Sequence, residues 1–215
     1  MKTCIIACRT LEKELLRAMA NIGCTYPIFW LEAGGHNLPQ KRRREIQAVL
    51  DSITDFDTVL LAMSLCGNLV AGLESRNFRL VIPKCADCIT LLLGSRQQRL
   101  AHPGTYFLTD GWLMGRDHIG TEYRRAVEKY GKARAQTIFS GMFANYAQMA
   151  YVDTGCGDAG QQVQSIANVL KLEYTQIPGT LDWLEELLHA GWNESRFLIL
   201  APHSALTLED CLQTT

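Results

Sequence analysis

The sequence predicts an α/β protein: a mainly parallel sheet, or sheets, with helices on both faces, an arrangement that two Rossmann-like lobes would satisfy. Two observations predict it. Short apolar runs alternate with amphipathic stretches along the whole chain, the pattern of repeated βα units. The 215 residues are also enough for one sizeable core or for two small lobes that share an interface.

Taken in order, residues 4–8 read as a first strand and 11–19 as a helix. Residues 26–31 form a strand and 40–53 a helix. The run 58–65 is strongly strand-like, 68–74 is a short helix, and 79–82 is a strand. Residues 87–93 look like a buried helix, 105–108 a strand and 121–132 a helix. Then come strand 149–153, helix 161–170, strand 174–177, helix 181–189 and a final strand 197–201. The composition turns polar at Arg96, Gln97, Gln98 and Arg99. This suggests an N-terminal lobe over 1–100 and a C-terminal lobe over 101–215, with one continuous domain as the alternative.

Hydrophobic residues make up 47% and charged residues 20%, with a formal net charge of -1, so a broad basic field for nucleic acid is not expected. The one basic run, Lys41-Arg42-Arg43-Arg44, precedes Ile46, Val49 and Leu50. It is read as the solvated face of a helix, with an anion-binding patch as the alternative. The N-terminus does not have the pattern of a signal peptide, and no apolar run approaches the ~20 residues that span a bilayer. A cytoplasmic protein is expected, where thiols stay reduced.

Eight cysteines in such a compartment need a reason other than disulfides. Cys8 ends the first predicted strand, Cys66 follows the 58–65 strand, and Cys85 and Cys88 follow the 79–82 strand. In a parallel sheet these are all carboxyl ends, the edge where open α/β folds bind ligands. Each also stands beside a predicted helix start, where thiolate is favoured and the thiol pKa is expected to fall. The pair Cys85-Ala86-Asp87-Cys88 has three readings: half of a zinc or iron–sulfur site, a thioredoxin-like dithiol, or coincidence. Cys4 is assigned to the core, and Cys24 and Cys211 to structural positions. His36, in the loop Gly34-Gly35-His36-Asn37, is either a fourth ligand or acid/base, or a loop histidine bonded to backbone.

Two segments in the second half invite a ligand. Asp110 and Trp112 fall at a strand end and would contact or wall a pocket, although a turn with a packed tryptophan is the favoured reading of the same residues. The run from Asp153 to Gly160 holds Gly155, Gly157 and Gly160 in a G-x-G-x-x-G spacing between strand and helix. It looks like the glycine loop of S-adenosylmethionine-dependent methyltransferases. In those folds, however, this strand opens the sheet, and here few residues follow it.

The segments Ile5–Cys8, 36–39, 66–67, 83–95 and 104–112 together resemble the domain-of-unknown-function family numbered 1638, over most of the chain to about residue 179. The resemblance implies that Cys8, His36, Cys66 and Cys88 are the positions to trust, and that Cys85 and Cys156 are additions of this sequence. It also implies a setting in anaerobic one-carbon metabolism beside corrinoid-dependent methyl transfer. The leading expectation is therefore a metal-thiolate protein, holding zinc or an iron–sulfur cluster on Cys8, Cys66 and Cys88 with His36 or an external ligand. A small-molecule ligand or a corrinoid protein is the expected partner. An S-adenosylmethionine-binding methyltransferase and a non-enzymatic accessory protein for a corrinoid system are the alternatives.

Overall fold

The computed structural model describes residues 2–34, 38–66, 69–115 and 117–212. Its strands are β1 (Thr3–Cys8), β2 (Ile28–Leu31), β3 (Thr58–Ala62), β4 (Arg79–Pro83), β5 (Thr105–Leu108), β6 (Gln148–Asp153), β7 (Glu173–Pro178) and β8 (Phe197–Leu200). Its helices are α1 (Glu12–Ile22), α2 (Pro39–Ser52), α3 (Cys88–Leu93), α4 (Arg96–Leu100), α5 (Asp110–Met114), α6 (Ile119–Tyr130), α7 (Lys132–Met142), α8 (Gly160–Leu170), α9 (Asp182–Leu188) and α10 (Leu208–Leu212). The mixed α/β class with mainly parallel strands is as the alternation predicts.

Two sheets form. The first has the order β2-β1-β3-β4-β8, parallel except for β8, which runs antiparallel to β4. The second is the parallel trio β5-β6-β7. The second sheet thus draws its strands only from residues 105–178, and the chain then returns to the first sheet through β8.

Strand geometry sorts the apolar residues into layers, because successive side chains point to opposite faces. In β1, Ile5 and Ala7 join a core with Leu11, Leu15 and Ala18, while Cys4, Ile6 and Cys8 join another with Ile46 and Leu50 of α2. In β6, Ala150 and Val152 enter the same core as Ile5, whereas Met149 and Tyr151 face α6, α7 and α8. Helices α1, α3 and α9 are therefore packed between the two sheets and bind them into one core. Each large aliphatic side chain fully buried there contributes about 1.5–3 kcal/mol.

Three local expectations are corrected. The described part of the predicted helix 68–74 is a turn: Gly72 takes a φ of +85°, the Leu73 N–H bonds the Val70 carbonyl, and Leu69, Val70 and Leu73 are buried without a helical repeat. Helix α7 was not expected, because only Ala135 and Phe139 of its eleven residues are buried and the apolar stripe is thin. The basic run of α2 is not wholly solvated, since Arg42 is only 5% exposed. Among the described residues no helix is long and apolar enough to cross a membrane.

Candidate thiol site

Cys8, Cys66 and Cys88, from three well-separated stretches of sequence, line one cavity together with Thr10, Arg42 and Ser64. The topology brings them there. β1, β3 and β4 run parallel and adjacent, so the segments leaving their carboxyl ends share one rim. Cys8 is the last residue of β1, Cys66 lies in the turn after β3, and Cys88 opens α3 beyond β4. The space they enclose is small, ≈ 10 Å³, about what one water or one ion occupies.

Each sulfur has a polar neighbour. The Cys8 thiol donates to Thr10 Oγ1 at 3.3 Å, and Arg42 Nη2 stands 3.5 Å from Cys8 Sγ. The Ser64 hydroxyl is 3.2 Å from Cys66 Sγ. The Trp112 indole N–H donates to Cys88 Sγ at 3.1 Å. Arg42 is held by the Glu32 carbonyl and by Glu45 Oε2 at 3.2 Å, which fixes a buried cation in the cavity wall. Its place is readable in retrospect: Arg42, Ile46 and Leu50 lie four residues apart, on one stripe of α2.

Cys66 holds a left-handed backbone with a φ of +47°. For a residue with a Cβ this conformation costs of order 1–2 kcal/mol, and it persists only where the surroundings impose it. Nothing in the sequence signals it except the glycine that follows.

The expectation that helix starts lower the thiol pKa values is corrected for three cysteines. Burial dominates, pushing Cys66 up to about 11, Cys85 up to about 12 and Cys88 well above the usual thiol range. The neighbouring thiols add to the rise for Cys66 and Cys88, while the Ser64 and Trp112 hydrogen bonds work against it. α3 has only six residues, too short for its dipole to offset full desolvation.

The C-x-x-C pair is split. Cys88 lines the cavity, but Cys85 is fully buried in the core between the sheets, its thiol 3.6 Å from the Asp87 carbonyl. Cys4 is fully buried in the α2-side core. His36 lies outside the described residues. Among the described residues, no group of three or more His, Cys, Asp or Glu side chains stands in a metal-holding arrangement.

Asp110 and the glycine turn prove to be partners of each other. The Asp110 carboxylate takes hydrogen bonds from Tyr151 Oη at 2.6 Å, Lys13 Nζ at 2.9 Å and the Asp158 backbone N–H at 3.2 Å. Burial opposes its ionisation, but the Tyr151 and Lys13 hydrogen bonds outweigh that and hold the carboxyl below the usual carboxylate range. A Cβ on Gly157 would lie 1.9 Å from Asp110 Oδ1. The glycine is thus needed for the approach of the chain's own carboxylate. Gly155 has a φ of +69°, and Gly160 packs on Tyr151 and Tyr174. Trp112 does wall a cleft, beside Cys66 and Cys88.

Fold and cavity together define a two-sheet α/β protein with a thiol-lined chamber at the carboxyl rim of its larger sheet. The chain belongs to the DUF1638 family, described as a protein of unknown function, whose model matches residues 30–188. The matched span takes in Arg42, Cys66, Cys88 and Trp112 and begins after Cys8. No curated protein and no solved structure matches the chain.

Proposed function

We propose that this protein holds a thiophilic metal, as zinc or an iron–sulfur cluster, on Cys8, Cys66 and Cys88, and presents it to a small molecule entering from the adjoining cleft. One observation carries the reading: three cysteines from three strand ends share one ion-sized cavity. Thiolate is a good ligand for zinc and iron, and three thiolates leave a coordination position open to a substrate or to His36. Metal binding would displace the thiol protons to solvent and offset the desolvation that raises the Cys66 and Cys88 thiols. The buried Arg42 cation complements the net negative charge of three thiolates around a divalent ion.

When bound, the metal supplies Lewis acidity toward a thiol or methyl-group donor. This chemistry fits the one-carbon setting implied by the family resemblance. The protein's own groups have separate tasks. Thr10, Ser64 and Trp112 orient the sulfurs, Arg42 balances their charge, and the apolar wall of Leu11, Met63 and Leu69 keeps water away.

The test is metal analysis of protein purified anaerobically, before and after reconstitution with Zn²⁺ or with iron and sulfide. Roughly one zinc or one cluster per chain is expected, with a thiolate-to-metal absorption band when Co²⁺ replaces zinc. Cys8→Ser, still folded by its melting curve, should lose most of that metal. Equal metal in wild type and Cys8→Ser, or none after reconstitution, would end the proposal.

A further inference from the structure

Cys66 and Cys88 belong to two spaces. Besides the small cavity, they line a cleft of ≈ 500 Å³, a size suited to a small organic molecule. Part of its wall is aromatic. Tyr106, Phe107, Trp112 and Tyr146 line it, with the Tyr106 and Tyr146 rings edge-to-face at 5.5 Å between centroids. Such rings offer flat faces for offset stacking.

One cation also lines the cleft. The Arg99 guanidinium stands 5.4 Å over the Phe107 ring, and Nη1 donates to Asp87 Oδ1 at 3.2 Å. That oxygen is already committed to the Thr90 backbone N–H at 2.8 Å and the Thr90 hydroxyl at 2.9 Å. Among the described residues the guanidinium has no other hydrogen-bond partner. Most of its fork is thus left for solvent or a ligand. A fork of this kind matches a carboxylate in two parallel hydrogen bonds. The Asp87 carboxylate beside it disfavours a dianion such as a phosphate monoester.

We propose that this cleft binds a small, flat monocarboxylate, with its carboxylate on Arg99 and its planar body against the aromatic wall formed by Tyr106, Trp112 and Tyr146. The bound molecule then reaches toward Cys66 and Cys88. Its role as the substrate of a metal centre rests on the function proposed above, but its binding does not.

The probe is 4-fluorobenzoate, followed by ¹⁹F NMR as it is titrated with the protein. Saturable binding below ~10 mM is expected, with 4-fluorobenzamide at least tenfold weaker because it lacks the charge. Arg99→Gln should weaken 4-fluorobenzoate at least tenfold. Arg99→Lys, which keeps the charge and loses the fork, should fall between, and it serves if Arg99→Gln does not fold. Cys8 lines the inner cavity and not the cleft, so Cys8→Ser should bind the probe as wild type does even where it has lost metal. That separates failure of the metal reading from failure of this one. Absence of saturation, equal binding of the amide, or undiminished binding by both Arg99 variants would overturn the proposal.

Discussion

The indole N–H of Trp112 donates to Cys88 Sγ across 3.1 Å, and the two residues reach that contact from different sheets. Cys88 follows β4 of the first sheet, and Trp112 follows β5 of the second. A donor aimed at sulfur favours the ionised or metal-bound thiol over the neutral one. Trp112→Phe keeps an aromatic side chain, a smaller one, and removes the donor, so the titration of Cys88 should move still higher. The measurement is the pH profile of Cys88 alkylation by iodoacetamide, resolved by mass spectrometry. An upward shift of the midpoint is expected whatever happens to the absolute rate. An unmoved midpoint would mean that the contact is packing alone.

The backbone at Cys66 predicts an inverted stability order. At an ordinary position alanine is the more stabilising replacement, because glycine loses more conformational freedom on folding. With φ at +47°, Cys66→Gly should instead exceed Cys66→Ala in stability by about 1 kcal/mol. Urea unfolding of the two variants checks this. If the chain holds the metal proposed above, both should lose it equally, since neither has a sulfur at this position.

Gly111 of α5 lies hard against the turn that follows β1. A Cβ there would stand 1.8 Å from the Thr10 carbonyl oxygen, a backbone atom with no side-chain freedom to yield. Gly111→Ala should cost about 3 kcal/mol or more and push the start of α5 away from the turn that follows β1. Chemical denaturation gives the loss. Trp112 fluorescence in a variant lacking the other three tryptophans would report the displacement.

Glu14 predicts a pH effect. It is 1% exposed, its Oε1 accepts from Thr154 Oγ1 at 3.1 Å, and Oε2 has no partner among the described residues. Burial raises its pKa above the ordinary 4.5. The folded state therefore binds this proton more tightly than the unfolded chain does. The resulting stability is present in full below the unfolded pKa, and it declines as pH rises from there through the folded value. Glu14→Gln keeps the shape and removes the titration. Its melting temperature relative to wild type should rise as pH is increased from 4 to 8. A constant difference across that range would place the Glu14 proton elsewhere.

Much of the fold was legible in the sequence because doubly covered parallel strands read as apolar runs. β1, β3, β4 and β6 are nearly all buried, and their positions follow from composition. The convergence of Cys8, Cys66 and Cys88 on one cavity was legible for a related reason, since parallel topology puts strand ends on one rim. The rest depended on contacts between distant segments. No local pattern shows that the Asp110 carboxylate fills the glycine turn, that Cys85 is drawn into the core three residues from Cys88, or that Trp112 reaches a sulfur. Arg42 is the intermediate case. Its helical stripe is visible, but its charge argues for solvent, and the Glu32 carbonyl, Glu45 and the Cys8 thiol explain why it turns inward.

The return of β8 to the first sheet bears on how the protein is made. Until the ribosome has released that strand, β4 presents an open edge, with Leu80, Val81 and Ile82 unpaired on one side while the whole second sheet is being synthesised. An apolar edge of this kind recruits other strands. Nascent chains stalled before residue 197 should therefore be the species most dependent on a holding chaperone, and the most prone to join one another edge to edge.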